Sequence, residues 1–301
     1  MKQLAWGILA TGLVSTTVMA QGAVPDSERS DRFLSTITAQ APAGTASVAP
    51  AAPEPPASSP VTVTVGADFP TLYFFRGLRQ EADSALTFQP FVDVGITASD
   101  TVSFNVGTWN SLHSGSNSDA YDNAWYESDI YGSATFTAGK WKPGLLFTAY
   151  TSPANAYDTV SELAGVLAYD DSASAVPISP KVTVAFELSD ATADGGANKG
   201  IYLELGGKPS FTAGPVTIGV PLKVGLSLKD YYEDPLTGED NTFGYFDVGL
   251  SAGVPLSFLH GGSWEAHGGV DFYTLGDGLP KFLNADKTER VVGSIGFSVA
   301  F

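Results

Sequence analysis

The 301-residue chain contains no cysteine. That excludes a disulfide framework, a thiolate metal site, a cysteine nucleophile and a lipid anchor on an N-terminal Cys. Charge is also scarce, at 16% of residues, against about 25% in ordinary soluble proteins. Cations are scarcer still: 15 Lys and Arg stand against 32 Asp and Glu, a formal net charge of −17. No basic surplus is left to neutralise phosphates, which argues against a nucleic-acid partner. Long hydrophobic runs are missing as well. Beyond residue 20 nothing approaches the roughly 18 apolar residues of a spanning helix. Yet hydrophobic residues make up 44% of the chain, aromatics 12%, and glycine numbers 33. Low charge without spanning helices fits a closed β-sheet, the other way to satisfy every backbone group in lipid.

The N-terminus reads as an export signal. Lys2 supplies a positive start, residues 4–14 form a short apolar core with Trp6, Ile8 and Leu9, and Val18, Met19 and Ala20 lead to a cut after Ala20. Residues 21–60 are expected to be a disordered periplasmic segment, because 41–60 is Ala, Pro, Ser, Thr and Gly with almost nothing to bury. From 61 to 301 the pattern alternates with period two, the signature of strands. Val291, Gly293, Ile295, Phe297, Val299 and Phe301 share one face, and Arg290, Val292, Ser294, Gly296, Ser298 and Ala300 the other. Similar alternation runs through Val182–Val184–Phe186–Leu188, Ile201–Leu203–Leu205 and the long series from Val216 to Leu228.

Twelve strands are predicted, near 61–75, 86–98, 101–111, 125–138, 142–151, 159–169, 180–189, 199–207, 215–229, 242–256, 263–274 and 289–301. The fold class is all-β: a transmembrane antiparallel β-barrel of up-and-down topology. An even count places both termini on the periplasmic side. Longer polar connections (110–124, 230–241, 276–288) follow odd strands, and tight ones (99–100, 139–141) follow even strands. The stretch 170–179 is long for a periplasmic turn. Trp109, Trp125, Tyr126, Trp141, Tyr150, Trp264 and Tyr273 fall near strand ends, as interfacial girdles do.

The final strand carries aromatic Phe297 and Phe301 around Val299. This resembles the insertion signal of outer-membrane barrels, which implies the barrel-assembly machinery as a partner. A second resemblance lies in Tyr73-Phe74-Phe75-Arg76-Gly77-Leu78 with Gln80, then in 89–95, then in Val106-Gly107-Thr108-Trp109-Asn110-Ser111. Over residues 61–115 the chain resembles the opening hairpins of TorF-type porins, which implies a pore in the cell outer membrane of a Gram-negative bacterium.

Charges on the polar strand faces cannot meet hydrocarbon cheaply, so they are assigned to the lumen. These are Arg76, Asp93, Glu127, Asp129, Lys181, Glu187, Glu204, Lys223, Lys229, Asp247, Glu265, His267 and Asp271. Arg76 has two readings: it pairs inside with Asp93 or another inward carboxylate, or it sits in the headgroup zone. An acidic surplus in a narrow channel favours cations; the alternative is a charge network that rigidifies the barrel without conducting.

Catalysis is weighed at His113, beside Ser114, Ser116 and Asn117. Outer-membrane phospholipases place Ser two residues after His on the same face, and here that position is Gly115. His260 and His267 lack spaced partners for a metal, and the acidic loop 230–241 matches no EF-hand. It reads as a solvated loop that divalent ions bridge to lipopolysaccharide. No enzyme activity and no cofactor are expected. The favoured function is passive diffusion of small solutes, cations preferred. The runner-up is a non-conducting scaffold or adhesin, and the third reading is a lipid hydrolase. A lumen packed with Tyr and Phe would favour the runner-up.

Overall fold

The computed structural model describes residues 60–81, 85–114, 123–234 and 237–301, so the expected signal and tether lie outside the described residues. Strands β1 (Val61–Pro70), β2 (Phe74–Phe75), β3 (Leu78–Arg79), β4 (Thr87–Thr97), β5 (Val102–His113) and β6 (Trp125–Phe136) come first. They are followed by β7 (Trp141–Thr151), β8 (Val160–Tyr169), β9 (Lys181–Glu187), β10 (Ile201–Gly207), β11 (Ser210–Ala213) and β12 (Val216–Gly219). Then come β13 (Leu222–Lys229), β14 (Phe243–Pro255), β15 (Ser263–Leu275), the short helix α1 (Leu279–Leu283) and β16 (Glu289–Ala300). All pairings are antiparallel. The ring runs β1-β4-β5-β6-β7-β8-β9-β10-β13-β14-β15-β16 and returns to β1 through Thr64↔Ala300 to Pro70↔Ser294. This is a closed barrel of twelve strands.

The predicted strand 215–229 is broken. Pro221 has no N–H to give the ladder, so β12 and β13 are separate strands that both pair with β14. Strand β11 pairs with β12 as a short flap outside the ring.

The period-two pattern resolves into two faces. Ile130 is 61% exposed and Ile295 68%, and Phe104, Leu145, Phe147, Phe186, Phe272 and Phe297 are exposed with them. Alternate residues on the same strands, such as Asn105, Asp129, Thr148 and Glu187, are buried. Water would penalise an outer face of that composition by about 25 cal/mol for every Å² of apolar surface; lipid tails do not. Phe301 is exposed on the outer face. Val299 shares that face yet is only 7% exposed, flanked in register by Val65 and Trp264. It is not buried between stacked sheets, because the barrel has a single layer.

The interior is filled unevenly, with glycines opposite large rings. A Cβ on Gly225 would lie 2.1 Å from the Tyr245 ring, and one on Gly244 would lie 2.2 Å from Tyr232. Both are close approaches that no larger residue permits.

The largest departure from expectation is residues 71–81. The first strand is expected to run to 75. It ends at Pro70, and the chain then dives into the lumen as the β2–β3 hairpin, with Phe74↔Arg79 and Phe75↔Leu78 paired. Arg76 (φ 45°) and Gly77 (φ 81°) form the tip. Two consecutive positive φ values match the turn whose twist suits a two-residue hairpin, and Gly accepts such a φ without cost.

Candidate functional site: a stoppered lumen and an open vestibule

The hairpin closes the end of the barrel that carries the long connections, here the loop end. Tyr73, Phe74, Phe75 and Leu78 are all buried to 2% exposure or less. Their rings meet inward rings around the wall: Tyr73 with Trp109 of β5 (5.5 Å), Phe75 with Tyr150 of β7 (6.1 Å) and Phe74 with Tyr273 of β15 (4.6 Å). Arg76 anchors the tip. Its two terminal nitrogens donate to Glu162 of β8 at 2.7 and 2.9 Å, and Nη1 also donates to Tyr231 Oη at 2.6 Å. Its guanidinium lies 4.1 Å from the Tyr202 ring centroid. The Tyr232 hydroxyl donates to the Arg76 carbonyl at 2.9 Å. From the other side Asn284, just past α1, donates to Gly77 O at 3.4 Å. The bidentate fork is the geometry that makes Arg–carboxylate pairs strong.

Each predicted site residue can now be placed. Arg76 faces inward, and its partner is Glu162 rather than Asp93. Asp93 accepts from the Tyr131 hydroxyl. Asp129 is fully buried at the loop end with Glu127, which accepts from the Tyr73 hydroxyl at 3.1 Å. Glu187 accepts from the backbone N–H of Ala193 (2.5 Å) and Gly200 (2.6 Å), so it ties down the β9–β10 connection. Glu204 accepts from Tyr202 and Tyr245 at 3.0 and 2.9 Å and lies 3.5 Å from Lys181. Lys223 sits 3.3 Å from Asp247, and His267 Nε2 lies 2.7 Å from Asp68. Glu265, with its side chain 51% exposed, and Asp271 line a cavity described below.

Several expectations are corrected. Lys229 is exposed at the loop end, 3.4 Å from Asp230, because the β13 alternation ends before it. Trp109, Tyr126, Tyr150 and Tyr273 belong to the stopper rather than a girdle; Trp125 and Trp141 remain exposed at the two rims. The acidic loop after β13 is not wholly solvated. Tyr231, Tyr232 and Glu233 fold inward, and Glu233 accepts from Asn198 N (3.0 Å) and Nδ2 (2.7 Å). Next to it burial raises the Asp194 carboxyl to about 6, opposed by hydrogen bonds from the Glu233 and Gly196 N–H groups. Among the described residues no group of His, Asp and Glu side chains is placed to hold a metal ion.

His113 meets Ser111; Ser116 and Asn117 lie outside the described residues. Its Nε2 lies 2.9 Å from Ser111 Oγ, two residues earlier on the same face, and its Nδ1 lies 3.5 Å from Glu81 Oε2. The order resembles a nucleophile–base–orienter arrangement. Ser111 is completely buried, however, and Glu81 is engaged by Tyr73 N–H (2.7 Å) and Thr87 Oγ1 (2.7 Å). No carbonyl can approach Oγ in this conformation, and Glu81 fastens the base of the hairpin to Thr87 of β4.

The opposite, turn end is open. A cavity of about 430 Å³ is lined by residues including Thr64, Asp93, Lys208, Lys223, Glu265, His267 and Asp271. A second, of about 250 Å³, shares Lys208, Thr217, Pro221 and Lys223 with it and adds Lys142, Lys181 and Glu204. The long turn 170–180 borders it and is held by its own carboxylates. Asp171 accepts from Ile178 N (2.7 Å) and Ser179 N (3.0 Å), and Asp170 lies 2.9 Å from Lys142 Nζ. The Ser172 hydroxyl, and after it Lys142, hold the Asp170 carboxyl down to about 2. The stabilisation from this depressed value is complete above the ordinary carboxylate range near 4 and is lost as pH falls through about 2. An NMR titration of Asp170 is expected to show a midpoint near 2 in the wild type, moved up more by Ser172→Ala than by Lys142→Gln. A midpoint near 4 in the wild type would rule out the anchored turn.

The sequence reading missed Glu162, Glu81, Tyr231 and Tyr232. Glu162 was findable: it is the one charged residue in β8, and an otherwise apolar strand must turn it inward. Nothing in the loop sequence marks the two tyrosines as inward-folding.

Comparison with solved structures finds likenesses at low identity. The translocator domain of the autotransporter NalP from Neisseria meningitidis is 12% identical with a TM-score of 0.43, over 92% of this chain and 95% of that one. The NanC porin is 9% identical, TM-score 0.45, over 79% and 98%. An outer membrane channel from Pseudomonas putida F1 is 9% identical, TM-score 0.46, over 80% and 95%. No curated protein matches the sequence. A family model matches residues 54–263, most of the barrel, and by that match the chain belongs to Gcw_chp, a family of bacterial proteins of unknown function.

Proposed function

We propose that the protein is an outer-membrane, porin-like passage for small solutes, closed at its outer mouth by the β2–β3 hairpin in the conformation described. The observation that carries this reading is the contrast between the two ends. One is sealed by rings and a buried ion pair, while the other keeps a cavity of about 430 Å³ whose lining includes Asp, Glu, Lys and His. A barrel that served only as a rigid post would gain by filling that space with apolar side chains. The loop end faces outward and the turn end faces the periplasm, as the lengths of the connections support. Lipid and lipopolysaccharide surround the wall, and the exposed Phe297 and Phe301 suit recognition by the assembly machinery. The resemblance of residues 61–115 to TorF-type porins supports the same reading. The acidic excess among the inward groups favours cations when the mouth is open. No chemical step is assigned, since Ser111 is sealed.

The second reading, a non-conducting scaffold or adhesin, is favoured by the Tyr and Phe stopper itself. Planar-bilayer recording separates the two. The wild type is expected to stay closed for most of the record, and a variant lacking residues 71–81 to show discrete, cation-selective steps. Silence from both would leave the scaffold. A wild type as open as the deletion would overturn the closed mouth.

A further inference from the structure

The vestibule at the turn end gathers its lysines on one side, three of them each beside a carboxylate, and carboxylates with His267 on the other. Lys142 on β7, Lys181 on β9, Lys208 just after β10 and Lys223 on β13 form one side. Asp93 on β4 and Glu265 and Asp271 on β15 form the other, backed by Asp68 of β1 through His267. In the order of strands around the ring, the middle of the β7–β13 arc lies across the lumen from β1, while β13 and β15 are separated by β14 alone. Lys208, Lys223, Asp93, Glu265 and Asp271 border the same 430 Å³ cavity, so both signs reach one space. Lys142, Lys181 and Lys223 are each more than nine-tenths buried, and they keep their ammonium groups at the wall beside Asp170, Glu204 and Asp247. Thr64, Thr217, Ser251, Ser294 and Ser298 add hydroxyls between the walls.

A uniform acidic ring would select cations by net field alone. A space with lysines bordering one side and carboxylates bordering the other instead orients a dipole, because a solute carrying both charges gains a contact at both ends while a singly charged one gains at one. We propose that this vestibule is a binding site for small zwitterions, carboxylate toward the lysine wall and ammonium toward Glu265 and Asp271. The proposal deepens the passage reading and rests on it for biological meaning, but binding is measured without conduction. Failure of one is therefore distinguishable from failure of the other.

Three probes of one chain length isolate charge: 4-aminobutyrate, butyrate and butylammonium. Binding to the full-length protein in detergent is followed by saturation-transfer NMR. The zwitterion is expected to bind at least tenfold more tightly than either singly charged probe. Lys208→Gln, at a partly exposed lysine, is expected to bring the zwitterion down toward butylammonium. Glu265→Gln, at a half-exposed carboxylate, is expected to bring it down toward butyrate. Neither change removes a buried ion pair, so both variants should fold. Butylammonium bound as tightly as the zwitterion would overturn the role of the lysine wall, and with it the proposal. So would no binding of any probe, or the same ranking in both variants.

Discussion

Arg76→Ala is expected to convert a mostly closed barrel into a frequently open one. The substitution removes both nitrogens that hold Glu162 and leaves a carboxylate in the lumen wall without its cation. Breaking a buried pair from one side costs about 3–5 kcal/mol. Each 1.4 kcal/mol is a factor of about ten in an equilibrium, so the closed state should lose roughly two orders of magnitude or more relative to the open one. The loss also includes the stack on Tyr202 and the bond to Tyr231. Open probability in single-channel records measures the shift. Much of the penalty is the stranded carboxylate, so Arg76→Ala combined with Glu162→Ala should lie nearer the wild type than Arg76→Ala alone. If Arg76→Ala leaves the open probability unchanged, the ion pair does not hold the stopper.

Ile295→Lys and Ser294→Lys should differ sharply although they are neighbours on β16. Ile295 is on the outer face at 68% exposure, and Ser294 lines the vestibule. A lysine near the bilayer midplane of an outer-membrane barrel costs about 2–4 kcal/mol. Facing a polar vestibule with Asp271 and Glu265 nearby, it should cost less than about 1 kcal/mol. Reversible urea unfolding into and out of lipid vesicles reads both. In a water-soluble protein an exposed Ile changed to Lys would shift stability by no more than about 0.5 kcal/mol, so equal and small effects would contradict the membrane-facing assignment.

How far the sequence foretold this arrangement depends on which physical constraint acts on each segment. The strand positions were readable because one face had to be apolar and the other polar over ten or so residues, and a slip of one residue would exchange the faces. Val182, Val184 and Phe186 against Lys181, Thr183 and Glu187 leave one solution. The same rule puts Asp93, Glu187 and Glu204 on the buried face and fails at Lys229, which is exposed. Where alternation lapses, the reading failed. Residues 71–81 hold Tyr73, Phe74, Phe75, Leu78 and Gln80 in a string that satisfies a strand as well as a hairpin. Only the space inside a twelve-stranded ring, which no local pattern encodes, decides that these rings go inward. Trp109, Tyr150 and Tyr273 fit a girdle by sequence for the same reason, since an aromatic near a strand end suits an interface or a stopper equally. His113 shows the limit most plainly. Ser114 follows it directly in sequence, yet Ser111, two residues earlier on the same strand face, is the serine it meets.

In the barrel read this way, the apolar strand faces touch lipid while the polar faces enclose water. Because the chain has no cysteine, a single one can be placed and labelled without ambiguity. Ile295→Cys and Ser294→Cys, each carrying a small fluorophore, would be reconstituted in vesicles of brominated lipid. Strong quenching at 295 with little at 294 is the predicted result. Equal quenching at both positions, or quenching at 294 alone, would contradict it.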